Sequence, residues 1–248
     1  MSAPTFGATL TRGALAGVLA GLVAAAVQYF LVEIPIEAAL AVEEGRPADP
    51  AELGHSHEEM FDRGTQLFGG MLAVVVVGLA IGTVYAVVYA RLRHRLPGRD
   101  DFSRSLLLGG LGFLTVSLLP GLKYPANPPG VGDPDTVNER TILYFAVIVA
   151  GLVLVNLAPW FARLLAARGV DRPLRIVLSG LSTVVLLVLV VTLLPANDDA
   201  IPADIPAGLL WQFRLYSLIE LASLWAVLAT AFGLLLARQQ RKSPVLAG

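Results

Sequence analysis

The residues best suited to chemistry cluster in one acidic stretch. His55, His57, Glu58 and Glu59 lie within five positions, in a segment that also carries Glu43, Glu44, Asp49, Glu52 and Asp62. Imidazole nitrogens with several carboxylates suit a borderline divalent cation such as Co²⁺, Ni²⁺ or Zn²⁺, because nitrogen ligands prefer these ions and the carboxylates offset their charge. A solvated acidic loop would give the same composition. The third histidine, His94, sits apart among arginines.

A second constellation follows Lys123 and runs through Asn127, Asp133 and Asp135 to Arg140, with prolines at 125, 128, 129 and 134. That much proline fixes the backbone, so polar groups can be held in place without a scaffold beneath them. Two readings stay open: a shaped vestibule in which Asn127, Asp133 and Asp135 face a passing cation, or a stiff turn with Lys123 and Arg140 beside lipid headgroups. Glu220 is the sharpest of the remaining candidates. It falls inside an apolar run two helical turns beyond Arg214, where a charge is expensive and therefore a functional candidate. It would either pair with a polar neighbour or face a wet path. Gln28, Asn156 and Pro159 are milder cases of the same kind, and Glu33, Glu37 and Arg63 sit where apolar runs end or begin.

Other chemistry is poorly supported. No Gly-x-x-x-x-Gly-Lys-Ser/Thr loop occurs, so the chain does not bind ATP through a P-loop. There is no HExxH, no Ser/His/Asp arrangement, and no cysteine at all. A non-enzymatic role is expected, with no tightly bound cofactor and no nucleic-acid partner.

The elements that must position these groups are helices in lipid. The 248 residues are 56% hydrophobic and 15% charged, whereas a soluble domain carries about a quarter charged residues. Crossing a hydrocarbon layer of roughly 30 Å takes about 20 apolar residues as a helix. Six such runs occur, at about 13–32, 68–90, 105–122, 141–166, 176–194 and 209–237. They predict an all-α, polytopic bundle forming a single transmembrane domain over residues 1–248.

Charge distribution orients the bundle. Arg91, Arg93, Arg95, Arg99 and Arg104 fill the second link, and Arg163, Arg168, Arg172 and Arg175 fill the fourth. Arg12 precedes the first run, while Arg238, Arg241 and Lys242 follow the last. The other three links hold only Arg46, Arg63, Lys123 and Arg140, among many carboxylates. Alternation of this kind is the positive-inside pattern; for a chain expected in the plasma membrane of a prokaryote, it predicts both termini in the cytoplasm and the acidic links outside. The first run is read as an uncleaved span, because it is long for a signal sequence and no convincing cleavage site follows it.

The outer acidic loop, residues 33–67, opens with apolar and acidic residues at helical spacing, which predicts an interfacial helix closed by Gly45 and Pro47. Pro120 is expected to end the third run. Odd-numbered runs close near Pro35, Pro120 and Pro195, and even-numbered runs open near Arg63, Arg140 and Arg214, about 75 residues apart. Three tandem helical hairpins would produce that spacing.

The strings that carry these groups resemble a known family. The stretch from Lys123 through Tyr124, Pro125, Asn127, Asp133 and Asp135 to Arg140 and Phe145 is similar to the signature of the CbtA family, predicted cobalt transporter subunits. The likeness extends to Arg12 and Gly17, to the Glu33-x-Pro35-x-Glu37 motif with its histidine-containing loop, and to Leu210, Trp211, Phe213 and Arg214. It thus covers essentially the whole chain. The resemblance implies uptake of Co²⁺ for cobalamin synthesis with a small single-span CbtB-type partner. A divalent-metal permease subunit, for Co²⁺ or Ni²⁺, is the leading expectation. A non-transporting membrane accessory or metal-binding component of a cobalamin-related complex is the alternative; a lipid-modifying enzyme would need a catalytic set that is not evident.

Overall fold

The structure, a computed structural model, describes residues 5–46, 62–196 and 200–242. All regular structure among the described residues is helical. Helix α1 (Phe6–Val27) passes through a π-turn (Gln28–Val32) into α2 (Glu33–Glu44), and α3 spans Arg63–Leu92. Helix α4 (Asp101–Gly112) passes through a second π-turn (Phe113–Leu118) into α5 (Leu119–Lys123). After a 3₁₀ turn at Pro134–Thr136 come α6 (Val137–Ala167), α7 (Arg172–Leu193) and α8 (Ala207–Lys242).

Among the described residues, six helices are long and apolar enough to cross a membrane: Phe6–Glu44, Arg63–Leu92, Asp101–Lys123, Val137–Ala167, Arg172–Leu193 and Ala207–Arg238. They contain the six apolar runs apart from Leu194, and most extend beyond them. Two expectations need correction. The helix over residues 33–44 is no separate interfacial element, since α2 continues α1 without a break, although Gly45 does cap it. Nor does Pro120 end the third span, because the chain stays helical to Lys123. Both differences have one cause. A proline ring clashes with the carbonyl four residues back and brings no N–H. A π-turn, three residues before Pro35 and two before Pro120, widens the helix enough to carry it past the ring.

The chain forms two compact units. The first comprises Met1–Gly110, Asn127–Gly130 and Ala203–Gly248, and the second Leu111–Ala126 and Val131–Pro202. In the first unit α1 packs along α3 and α8. Its buried face is Thr9, Gly13, Ala16, Gly17, Ala20, Gly21, Ala24 and Ala25, while Leu15, Leu19 and Leu22 are exposed. Lipid supplies no hydrophobic drive between helices, so small side chains that let backbones approach occupy the contact and large apolar ones face outward. Toward the arginine-rich end, the rings of Tyr85 and Tyr89 meet Phe232 edge-on at 5.4 and 5.2 Å.

In the second unit α6 packs against α7 and against the π-turn and α5. Gly151 of α6 lies against Thr115 and Leu119, where an added Cβ would sit 3.3 Å from both side chains. Pro159 lies within α6 without ending it. Asn156, one turn before, donates its amide to the Leu152 carbonyl at 2.8 Å.

Candidate functional site: the acidic helix ends

The acidic ends of the helices in the first unit are held by three long-range polar contacts. Glu33, at the start of α2, is buried and forms an ion pair with Arg63, the first residue of α3. Arg46, just past α2, grips Asp204 with both arms, Nε to Oδ2 at 2.7 Å and Nη2 to Oδ1 at 3.2 Å, and its Nη1 donates to the Gly130 carbonyl at 3.2 Å. The hydrogen bond from Arg46 holds the Asp204 carboxyl below the usual carboxylate range. Gly130 has φ +72°, and a Cβ there would also sit 3.2 Å from the Glu43 carboxylate, so the turn needs glycine. Finally, Arg214 on α8 donates through Nη2 to Asn127 Oδ1 at 2.9 Å.

The residues of the expected vestibule divide between the two units. Asn127 belongs to the first unit, with its amide oxygen accepting from Arg214, while Asp133, Asp135 and Arg140 belong to the second. The second unit has its own cavity of about 500 Å³, lined by Tyr124, Gly132, Asp133, Glu139 and Arg140 among others. The Asp133 side chain accepts the Asp135 N–H at 2.9 Å, and its backbone carbonyl accepts from Thr136 and from Arg140 Nη2 at 3.2 Å. Gly132 has φ +105° and lies against the Arg140 guanidinium, 2.8 Å from where its Cβ would be. Tyr124 donates to the Pro195 carbonyl at 2.7 Å, closing the base of the link. Burial, with Glu139 nearby, pushes the Tyr124 hydroxyl up. Lys123 sits 5.6 Å over the Tyr124 ring. The cavity thus has two carboxylates, Asp133 and Glu139, in its lining, together with the Arg140 guanidinium that donates to the Asp133 carbonyl.

At membrane depth, Glu220 on α8 is half-buried, and its carboxylate makes no hydrogen bond or ion pair among the described residues. Gln28 opens the first π-turn with Oε1 enclosed and without a partner. Glu37 is exposed on α2. His55, His57, Glu58 and Glu59 lie outside the described residues. Among the described residues, no three His, Cys, Asp or Glu side chains form a group that could hold a metal ion.

A further polar network, at the arginine-rich end of the first unit, was not anticipated from sequence. Tyr89 donates to the Asp101 carboxylate at 2.9 Å, Tyr85 donates to the Ser105 carbonyl, and Ser105 Oγ donates to the Ala229 carbonyl at 2.6 Å. The signal was present: Tyr85 and Tyr89 are one turn apart, as are Asp101 and Ser105, so each pair shares a helix face.

The family described as "Probable cobalt transporter subunit (CbtA)" matches residues 6–237. No curated protein and no solved structure matches the chain.

Proposed function

Given that the chain belongs to the CbtA family of probable cobalt transporter subunits, we propose that it is the permease subunit of a Co²⁺ uptake system supplying cobalamin synthesis. In this reading the acidic helix ends face the outside of a prokaryotic plasma membrane and both termini are cytoplasmic, as the arginine distribution favours. His55, His57, Glu58 and Glu59 capture the ion, Asp133 and Glu139 draw it into the mouth of the second unit, and Glu220 is a charged waypoint in the membrane. A small single-span CbtB-type subunit completes the system.

The observation that carries this reading is the acidic cavity built by the proline-rich link. About 500 Å³ leaves room for a hydrated divalent ion. Carboxylates on a low-dielectric wall concentrate cations by focusing the field. Affinities alone separate Co²⁺ from Ni²⁺ poorly, so the choice of cobalt rests on the family.

The test is radiolabelled Co²⁺ accumulation in cells lacking other cobalt importers, with and without the small partner, at matched membrane expression. Accumulation by wild type that falls in Glu220→Gln supports a path through the bundle. Loss confined to the pair His55→Ala with His57→Ala at low metal assigns capture to those histidines. The rival reading is a non-transporting accessory that binds metal or organises a cobalamin-related complex. Absence of uptake by wild type with its partner present would select it.

A further inference from the structure

Asn156 is a polar group the transport reading leaves unused. It is exposed on α6, well inside the fourth span. A side-chain amide carries two N–H donors and one acceptor oxygen. One N–H goes to the Leu152 carbonyl at 2.8 Å in the same helix, and among the described residues Oδ1 accepts from nothing. An N–H and an oxygen left open toward hydrocarbon are costly.

The residues around Asn156 keep a register. Val147, Gly151 and Leu154, spaced by four and three, are buried, with Gly151 against Thr115 and Leu119. On the opposite face Ile142, Phe145, Val149, Leu152, Asn156 and Pro159 follow one another by three and four in strict alternation, and all six are exposed. That is the heptad spacing along which two helices meet in a seam. Ile142, Val149 and Asn156 hold the first core position of the repeat, and Phe145, Leu152 and Pro159 hold the second. β-Branched residues at the first with Leu at the second favour two parallel strands, and one Asn at the first fixes register and strand number.

We propose that this face of α6 is the seam of a homodimer, in which the α6 helices of two copies lie side by side and their Asn156 amides bond to each other. The membrane selects the occupant. A second copy crosses the bilayer in the same direction and at the same depth, so a two-fold axis along the membrane normal sets Asn156 against Asn156. The polar complementarity is then reciprocal, each amide donating the N–H that the other's oxygen lacks. A partner of another sequence would have to supply a polar group at that one level. The inference requires α6 to cross the membrane and is independent of what the protein transports.

The chain has no cysteine, so single cysteines report contacts without background. In membranes of cells expressing two differently tagged full-length copies, oxidation is expected to join copies carrying Val149→Cys or Leu152→Cys. Leu157→Cys, exposed on the same helix but off the seam, is expected to stay single. Energy transfer between copies labelled through C-terminal tags in phosphatidylcholine vesicles should show Asn156→Leu associating about fivefold or more weakly than wild type, because lipid supplies no hydrophobic drive to replace the amide pair. Asn156→Gln keeps both amide functions and should lie closer to wild type. Four outcomes overturn the proposal: no joining at 149 and 152, equal joining at 157, joining at 149 and 152 only to a different protein, which would give the face to another subunit, or unchanged association of Asn156→Leu. If Asn156→Leu unfolds at a lower midpoint than wild type in micelles, the cysteine map alone decides.

Discussion

Gly17 of α1 and Gly78 of α3 stand so close that a Cβ on Gly78 would lie 2.7 Å from the Gly17 carbonyl oxygen. The contact repeats along the pair, Gly13 against Gly82 and Gly21 against Val74 and Val75, so the two backbones touch over two helical turns. Nothing flexible can yield there, because the atoms in the way are backbone. Gly78→Val is expected to cost about 3 kcal/mol or more, at the upper end for overpacking, read as a lowered midpoint of unfolding in mixed micelles. Gly110 has nothing within 4 Å of its missing Cβ, and Gly110→Ala should be neutral or stabilise by up to about 1 kcal/mol through helix propensity. Equal effects at both positions would contradict the close-packed pair.

Glu33 and Arg63 tie the first π-helical span to the start of α3. Glu33 is 8% exposed, so removing its partner leaves a carboxylate in apolar surroundings. Arg63→Ala should destabilise by about 2–3 kcal/mol, below the full penalty for breaking a buried pair because the Arg63 side chain is itself 42% exposed. Glu33→Gln added to Arg63→Ala should recover part of that loss. A double-mutant cycle with no coupling would remove the pair from the account.

The spans were legible because hydrocarbon imposes one requirement, length in apolar residues, and the alternating arginines punctuate them. Their ends were harder to read. Pro35 and Pro120 look like stops in sequence, and only the π-turns before them explain why the helices continue. The polar contacts were hidden for a different reason: Arg46 meets Asp204 across 158 positions, and no local period announces such a pair. Asn127, chosen as a group to face a cation, is held by Arg214, whereas Glu139 lines the cavity and was overlooked because it reads as an ordinary first-turn carboxylate of α6.

The Arg46–Asp204 contact sets a pH dependence. Its hydrogen bond depresses the folded-state pKa of Asp204 below the model-peptide value of 3.8. A depressed carboxyl contributes stability that is present above the unfolded pKa and is lost as pH falls through the folded one. The difference in unfolding temperature between wild type and Asp204→Asn should therefore be flat from neutral pH down to about 5 and shrink below about 4. A difference that changes between pH 6 and 8 would place the titrating group elsewhere.

The mouth of the second unit makes the most direct functional prediction. Asn at 133 keeps an oxygen to accept the Asp135 N–H, and Gln at 139 keeps the length of the side chain, so Asp133→Asn with Glu139→Gln removes charge while leaving the turn intact. If these carboxylates attract the ion without binding it in the rate-limiting step, the double variant should raise KM for Co²⁺ about tenfold at low ionic strength and leave the maximal rate unchanged. The effect should fade as salt rises and the Debye length falls below about 10 Å. A loss of maximal rate that salt does not alter would instead make Asp133 or Glu139 a ligand on the path, and the cavity a binding site rather than an antechamber.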